Sequence, residues 1–201
     1  KSPLNIGFRH LMPVVPLIYI LLTGAWKKWF SAESFSKFIK ASFLIALLLW
    51  FVAEIALASP YFLSYFNEAG GSVGGGYRYA TDSNYDWGQD LSRLKNWVDA
   101  RPEIKKIAVN YFGGGSPEYY MPEKAVNWWS AKGNPANQGI HYLAVSVNAL
   151  QDAVAKTAPE FTRDTKDEYE WLKKIKSTPS GFGEVPKPDF RVGTSMFIYK
   201  L

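Results

Sequence analysis

Two long apolar segments near the start of the chain constrain its fold more than any other feature. The first reads HLMPVVPLIYILLTGAW over residues 10–26, and the second reads FIKASFLIALLLWFVAEIALASPYFL over 38–63. A helix that crosses a membrane needs about 20 mostly apolar residues. The second segment has such a core at 41–58, while the first carries Pro13 and Pro16 near its start, where proline is tolerated. Two buried helices of a soluble protein are the alternative, but the run LIALLLWFVAEIALA lacks the polar stripe of a surface helix.

The connector between the two segments predicts how the chain is oriented in the membrane. Its charged residues are Lys27, Lys28, Lys37, Lys40 and Glu33. Short loops rich in lysine stay in the cytoplasm, so the rest of the chain is expected on the outer side. We therefore predict transmembrane helices of a multi-spanning unit at 1–58 and an extracytoplasmic domain at 59–201. Because the chain starts at Lys1 without the pattern of a signal peptide, it is expected to be the tail of a longer membrane protein.

The charge distribution argues against nucleic acid as a partner. Residues 1–58 carry six Lys and Arg against two Asp and Glu, whereas 59–201 carry seventeen against sixteen. A nucleic-acid interface needs a clustered basic face, which the second part lacks. The chain has no cysteine and only two distant histidines, His10 and His141, so no metal site is predicted from these residue types. No cofactor is predicted, although the sequence leaves a divalent metal open.

The part after residue 59 predicts a small α/β domain. Leu91, Leu94, Trp97 and Val98 recur at helical spacing. The runs that predict strands are KKIAVNYFG at 105–113, HYLAVSVNAL at 141–150 and TSMFIYKL at 194–201, and TKDEYEWLKKIKS at 165–177 predicts an amphipathic helix. This alternation favours a small sheet with helices packed on it. No phosphate-binding glycine motif or nucleophile-elbow motif accompanies it.

The densest cluster of polar and aromatic residues is the stretch DSNYDWGQDL at 82–91. In one interpretation it binds a sugar, with rings stacking on the sugar's apolar face and polar side chains meeting its hydroxyls. The residues concerned are Asp82, Asn84, Tyr85, Asp86, Trp87, Gln89 and Asp90.

The other interpretation of this stretch is structural, and composition alone favours it. Asp82 and Asn84 would make side-chain turns, Asp86 would cap the following helix, and Trp87 would dock the domain onto the membrane unit. The spacing of Asp82, Asp86 and Asp90 at every fourth residue also suggests a cation site. Asp82 is expected to precede the helix, however, which counts against such a site.

Two further groups of residues have both a functional and an ordinary interpretation. Arg9, with His10 beside it, sits at the outer end of the first apolar segment. In the functional interpretation, this arginine binds a lipid phosphate through paired hydrogen bonds. In the ordinary one, it only extends its side chain to the lipid headgroups. The stretch SPEYYMPEKAVNWW supplies four aromatic rings, those of Tyr119, Tyr120, Trp128 and Trp129. In the functional interpretation these rings line a groove for the acceptor, and in the ordinary one they pack in the core or against the membrane.

Several motifs, taken in chain order, resemble the C-terminal part of a known enzyme family. They are NIGFRHLMP at 5–13, PYFLSYFNE at 60–68, DSNYDWGQDL at 82–91, YFG at 111–113 and PEYY at 117–120, with EWL at 170–172 and GTSMFIY at 193–199 near the end. The family comprises bacterial membrane glycosyltransferases of the GT-C class related to the protein O-mannosyltransferases. The resemblance covers nearly the whole chain.

This resemblance implies an integral membrane glycosyltransferase of the hexosyl- or mannosyl-transferase kind in the bacterial inner membrane. Such an enzyme moves a sugar from a polyprenyl-phosphate carrier to an extracytoplasmic acceptor, as in protein glycosylation. The family's catalytic acid lies in a first outer loop that this fragment lacks, so no catalytic residue is named here. Arg9 and His10 become candidate contacts for the carrier phosphate. The outer domain would cap the reaction cavity or help to select the acceptor.

The residues expected to contact substrate are Asp82, Asn84, Asp86, Trp87, Gln89, Asp90, Tyr119 and Tyr120. A different class of function stays open beside the enzyme. The chain would then be a membrane-anchored module that binds carbohydrate or envelope components without catalysis. A third possibility is a packing domain that only stabilises a larger membrane complex.

Overall fold

The computed structural model describes residues 8–32, 36–154 and 164–201, with only the backbone described for 8–10 and 165. The chain divides into two compact units, Lys1–Pro60 and Tyr61–Leu201. The boundary between them lies two residues beyond the predicted one.

The first unit consists of helices formed by the two apolar segments. A 3-10 helix at Phe8–Val14 leads directly into α1 at Val15–Ser31, and α2 follows at Lys37–Ala58. Leu11–Ser31 and Lys37–Ala58 are each long and apolar enough to cross a membrane, with mean hydropathies of 1.2 and 2.3. Most of the apolar side chains of these two helices are exposed in the structure. Apolar surface of this extent needs a membrane or other helices around it.

The carboxyl end of α1 is closed by Lys40, a residue from the first turn of α2. The Lys40 ammonium donates to the carbonyl oxygen of Trp29 at 2.6 Å and to that of Ala32, and its side chain is fully buried. The last carbonyls of a helix have no partner within the helix, and a cation there also meets the negative end of the helix dipole. Lys40 therefore connects the two helices in addition to contributing to the predicted lysine-rich connector.

In the described residues, the second unit contains a five-stranded mixed sheet. The strands are β1 at Ile107–Asn110, β2 at Ala125–Asn127, β3 at Tyr142–Ser146, β4 at Phe190–Val192 and β5 at Met196–Lys200. Their order is β2-β1-β3-β5-β4. Strand β1 pairs in parallel with β2 and β3, whereas β5 is antiparallel to both β3 and β4. The predicted small α/β sheet is confirmed.

Both faces of this sheet are covered, because successive residues of each strand point to opposite faces. In β5, Phe197 packs into one hydrophobic layer and Ile198 into the other. Within the described ranges, the α-helices of the second unit are α3 at Ser72–Gly75, α4 at Leu91–Asp99, α5 at Pro117–Tyr120, α6 at Val147–Val154 and α7 at Glu170–Ile175. Helix α4 packs on the Ile198 face, while α6 and α7 pack on the Phe197 face.

The elements predicted at 105–113, 141–150, 165–177 and 194–201 are all shorter than the sequence indicated, and for two of them the structure shows the reason. The strand predicted at 141–150 ends at Ser146, and the chain then turns into α6, with the Val147 N–H bonded to the Ser195 carbonyl at 2.7 Å. The helix predicted at 165–177 is an α-helix only from Glu170, because Tyr169 has a left-handed backbone with φ of 51°.

The helix after the DSNYDWGQDL stretch begins at Leu91, so Asp86 does not cap it. The interruption lies at Gly88, whose φ of 77° is incompatible with a right-handed helix. As a result, Asp82, Asp86 and Asp90 do not lie on one helix. The prediction that Asp86 caps α4 is therefore wrong.

Candidate functional site

The DSNYDWGQDL stretch lies at the carboxyl ends of the parallel strands β1 and β3. Tyr111, which follows β1, donates from its hydroxyl to the Gly88 carbonyl at 2.9 Å. The backbone N–H of Asp82 donates to the Asn148 side-chain oxygen at 2.9 Å, in the first turn of the helix that follows β3. We call residues 82–91, together with the loop 111–116 and the start of α6, the edge cluster.

The position of the edge cluster in the sheet is typical of a ligand site. The chain passes from β1 outward to β2 and then crosses back over β1 to reach β3. In open α/β sheets, ligands bind beyond the carboxyl ends of the strands, at the point where successive connections leave in opposite directions. That point here lies between β1 and β3.

Two glycines allow the loops of the edge cluster to approach each other closely. A Cβ atom on Gly88 would lie 2.0 Å from the Tyr111 hydroxyl oxygen, and one on Gly113 would lie 2.4 Å from the same atom. Both glycines also have positive φ angles, of 77° and 148°. A side chain at either position would push Tyr111 away and open the cluster.

Asp90 is fully buried and has both carboxylate oxygens engaged within the protein. Its Oδ2 accepts from the backbone N–H groups of Thr194 and Ser195, each at 2.8 Å, and from the Ser195 hydroxyl at 3.0 Å. Its Oδ1 accepts from the Arg93 guanidinium at 2.6 Å. These contacts fix the turn between β4 and β5, and they support the structural interpretation of Asp90.

Asp86 is equally buried but is only partly satisfied. Its Oδ1 accepts from the Gly88 N–H at 2.8 Å, while Oδ2 has no hydrogen-bond partner among the described residues. The Ser195 hydroxyl is nearby, but its single proton is directed to Asp90. The pKa of Asp86 is raised to about 6, mainly by burial and in part by the neighbouring Asp90 carboxylate, while the Gly88 N–H and the Ser195 hydroxyl oppose the shift. Asp86 is therefore able to gain or lose a proton near neutral pH.

Gln89 holds the loop from inside, and this turns Trp87 outward. The Gln89 side chain accepts from the Trp87 N–H at 2.8 Å and donates to the Tyr85 carbonyl at 3.1 Å. The Trp87 indole N–H donates to the Ser83 carbonyl at 2.8 Å, and the residue is 56% exposed. Tyr85 is fully buried, so its ring belongs to the core and is not open to a ligand.

The two tyrosines of α5 border the same edge. Tyr119 is 84% exposed, and its ring packs edge-on against that of Tyr120 at 5.9 Å. Burial raises the pKa of Tyr111, the Asp86 carboxylate and Tyr120 add to this shift, and the backbone of Gly115 opposes it. Trp87, Tyr119 and Tyr120 all present exposed rings to solvent, and Trp87 directly follows the buried Asp86 in the chain.

The other predicted site residues are distributed differently. Trp128 is a core residue, so it does not line a groove, whereas Trp129 is exposed with the Lys132 ammonium 4.0 Å above its ring. The backbone of Arg9 and His10 lies in the first 3-10 helix, but their side chains lie outside the described part of the structure. Their assignment to a carrier phosphate stays a prediction.

Asp82 and Asn84 begin and end a short 3-10 helix, Asp82–Asn84, and the Asn84 side-chain nitrogen is buried without a partner among the described residues. The described ranges contain no group of three acidic or histidine side chains arranged to hold a metal ion. The cation site suggested by the aspartate spacing is therefore not formed.

Sequence reasoning missed four polar residues that hold the edge cluster in place: Ser64, Asn148, Thr194 and Ser195. They act from positions far along the chain, such as the Thr194 N–H that binds Asp90 from 104 residues away. Asn148 lies in the run SVNAL, Thr194 and Ser195 lie in GTSMFIY, and Ser64 lies in PYFLSYFNE. Polar residues within such apolar runs were the only signal, since a buried polar group rarely lacks a hydrogen-bond partner.

A separate open cavity of about 620 Å³ lies on the second unit. Tyr79 and Phe182 form part of its wall, with their ring centroids 5.9 Å apart, and an ion pair of 2.7 Å between Arg78 and Glu184 lies beside them. None of the predicted site residues lines this cavity.

Comparison of the chain with protein-family models, with curated proteins and with solved structures gives no match.

Proposed function

We propose that the chain is the C-terminal portion of an integral membrane glycosyltransferase. The enzyme would move a sugar from a polyprenyl-phosphate carrier to an acceptor on the outer side of the bacterial inner membrane. The observation that carries this proposal is the edge cluster, in which the buried carboxyl of Asp86, with its pKa raised to about 6, is followed in the chain by the exposed ring of Trp87. Flat rings match the C–H faces of sugars, and hydrogen-bonding groups match their hydroxyls.

The proposal draws its membrane setting from the first unit. Two helices that expose apolar side chains over more than 20 residues each suit a larger multi-pass assembly. A lipid-linked sugar is presented at the surface of such an assembly. In this proposal the catalytic acid lies outside the present chain, and the edge cluster orients the sugar or the acceptor. Trp87, Tyr119 and Tyr120 are the proposed ring contacts.

The test is sugar transfer by the full-length protein that contains this chain, with a polyprenyl-phosphate sugar as donor. Replacing Trp87 by alanine removes one exposed ring that makes no core contact, and we expect turnover to fall about tenfold, as for the loss of one stacking contact. Phe182→Ala is the matched control, because Phe182 is an exposed ring that lies on the separate cavity. Arg9→Ala is expected to raise the KM for the donor.

Several outcomes of this test would contradict the proposal. The absence of transfer from any polyprenyl-phosphate sugar would remove the enzymatic function. If Trp87→Ala and Phe182→Ala have equal turnover, the edge cluster does not bind substrate. Unchanged kinetics of Arg9→Ala would remove that residue from the phosphate role.

A non-catalytic carbohydrate-binding module is the second candidate. The observation that favours it is that Asp90 and Gln89 are used to hold the loop, which leaves exposed rings as the main groups open to a ligand. This function predicts that the chain in detergent binds oligosaccharides without any carrier lipid, and that Trp87→Ala abolishes this binding. Transfer of a sugar from a carrier lipid would show that the protein is an enzyme and not a non-catalytic binding module.

A further inference from the structure

A short apolar segment connects the apolar helix α2 with the folded second unit. It contains a 3-10 helix at Phe62–Ser64, preceded by Tyr61 and followed by Tyr65. Ser64 is fully buried, whereas Phe62 and Leu63 are 58% and 54% exposed. The two apolar side chains thus face out of the domain at the point where the chain enters it.

Ser64 fixes this short helix to the edge cluster. Its hydroxyl donates to the Tyr85 carbonyl at 3.1 Å and shares a 2.6 Å hydrogen bond with the Thr194 hydroxyl. The Gln89 side chain donates to the same Ser64 oxygen at 3.2 Å. With three partners holding Ser64, Phe62 and Leu63 cannot turn inward without breaking buried hydrogen bonds, each of which is costly to leave unmade.

The sequence around these residues is that of a membrane–water boundary. Phe62 and Leu63 follow the last residue of α2, Ala58, by four and five positions, and residues 55–67 contain no charged side chain. A chain of five residues spans at most about 18 Å, so these side chains stay near the end of the apolar helix. Tyrosines such as Tyr61 and Tyr65 are typical of the interfacial layer of a bilayer.

We infer that Phe62 and Leu63 insert into the interfacial layer of the lipid bilayer on the side where α2 ends. The partner of this surface is the bilayer itself. Its consequence is that Ser64 holds the edge cluster close to the membrane surface. The inference depends on α2 spanning the membrane, and it is independent of whether the protein transfers a sugar.

The absence of cysteine from the chain allows a direct test. Single cysteines are introduced in the full chain at Phe62 and Leu63, at Leu49 inside α2 and at Phe182 on the separate cavity. Each variant is spin-labelled and reconstituted in nanodiscs of phosphatidylethanolamine and phosphatidylglycerol. Collision rates with oxygen, which partitions into lipid, and with a water-soluble nickel chelate are measured by electron paramagnetic resonance.

We expect the labels at Phe62 and Leu63 to lose contact with the nickel chelate and to gain oxygen contact, as the Leu49→Cys label does. The Phe182→Cys label is expected to remain accessible to the chelate. Near-ultraviolet circular dichroism confirms that each labelled variant is folded.

Three results would overturn the inference. Labels at Phe62 and Leu63 that match the Phe182→Cys label would place this surface in water. Labels shielded from both reagents would show that protein covers it instead of lipid. A Leu49→Cys label in contact with the chelate would remove the membrane span on which the inference depends.

Discussion

Replacing Asp90 by alanine tests whether this buried carboxylate is part of the framework of the domain. The substitution leaves the backbone N–H groups of Thr194 and Ser195 without their acceptor. A buried donor left unpaired costs about 1–3 kcal/mol, so the two together cost about 2–6 kcal/mol. The side chain of Arg93 is 37% exposed, so loss of its ion pair adds at most about 1 kcal/mol. We expect the free energy of unfolding to fall by about 3–5 kcal/mol, a large part of the stability of a domain.

The assay is urea unfolding of the full chain in detergent micelles, followed by near-ultraviolet circular dichroism of the second unit. Asp99→Ala is the matched control, because Asp99 also makes an ion pair within α4, with Lys95 at 2.5 Å, but its side chain is 45% exposed. Loss of that exposed pair is expected to leave the free energy of unfolding close to the wild-type value, because solvent screens the charges.

If the free energy of unfolding of Asp90→Ala lies within about 1 kcal/mol of the wild-type value, the framework role of Asp90 is refuted. The carboxylate would then not be needed to hold the turn at Thr194 and Ser195. Asp90 would in that case return to the group of residues open to a substrate.

Three further substitutions follow from the same contacts. Asp86→Asn is expected to raise the free energy of unfolding at pH 7 by about 1–3 kcal/mol, because the folded-state pKa is raised from 3.8 to about 6 and the charged form is the unfavourable one. The free energy of unfolding of the wild type therefore falls as the pH rises from about 4 to 6. Urea unfolding across this pH range is expected to show a smaller fall for Asp86→Asn. If both proteins show the same fall, Asp86 is not its cause. Gly193→Ala places a Cβ 2.0 Å from Asp90 Oδ1, so it is expected to destabilise the domain in the same assay. The double variant with Asp90→Ala is expected to lose much less free energy of unfolding than the two single variants lose in sum. Lys40→Met leaves the Trp29 carbonyl without the donor that Lys40 provides. The rate of amide hydrogen exchange in the last turn of α1 is expected to rise about tenfold. An unchanged rate would show that Lys40 does not stabilise this helix end.

The strands and the apolar helices were predictable where the signal is local. Strand β1 is a short run of apolar residues between charged and glycine-rich segments, and β5 is a similar run at the end of the chain. Strands β2 and β4 have three residues each, too few to show a period. Their formation depends on pairing with β1 and β5 rather than on their own sequence.

The candidate site was predictable as a location but not in the role of each residue. Asp86 and Asp90 are the same residue type four positions apart. One has an oxygen with no hydrogen-bond partner in the described part of the chain, and the other accepts five hydrogen bonds. The difference comes from Thr194 and Ser195, which a single sequence does not place beside Asp90. Gly88 was the local signal that the three aspartates do not share a helix face, because glycine is the residue that takes a positive φ readily.

The short outer strands of the sheet have a consequence for how copies of the protein meet. Strands β2 and β4 each offer only three residues of free backbone to a neighbour, and β4 also carries Arg191, whose guanidinium lies 4.5 Å from the ring of Phe197. Short, charged borders of this kind discourage another chain from adding a strand. Self-association through continued sheet pairing is therefore disfavoured, so copies of the protein at high local concentration can keep their sheets separate.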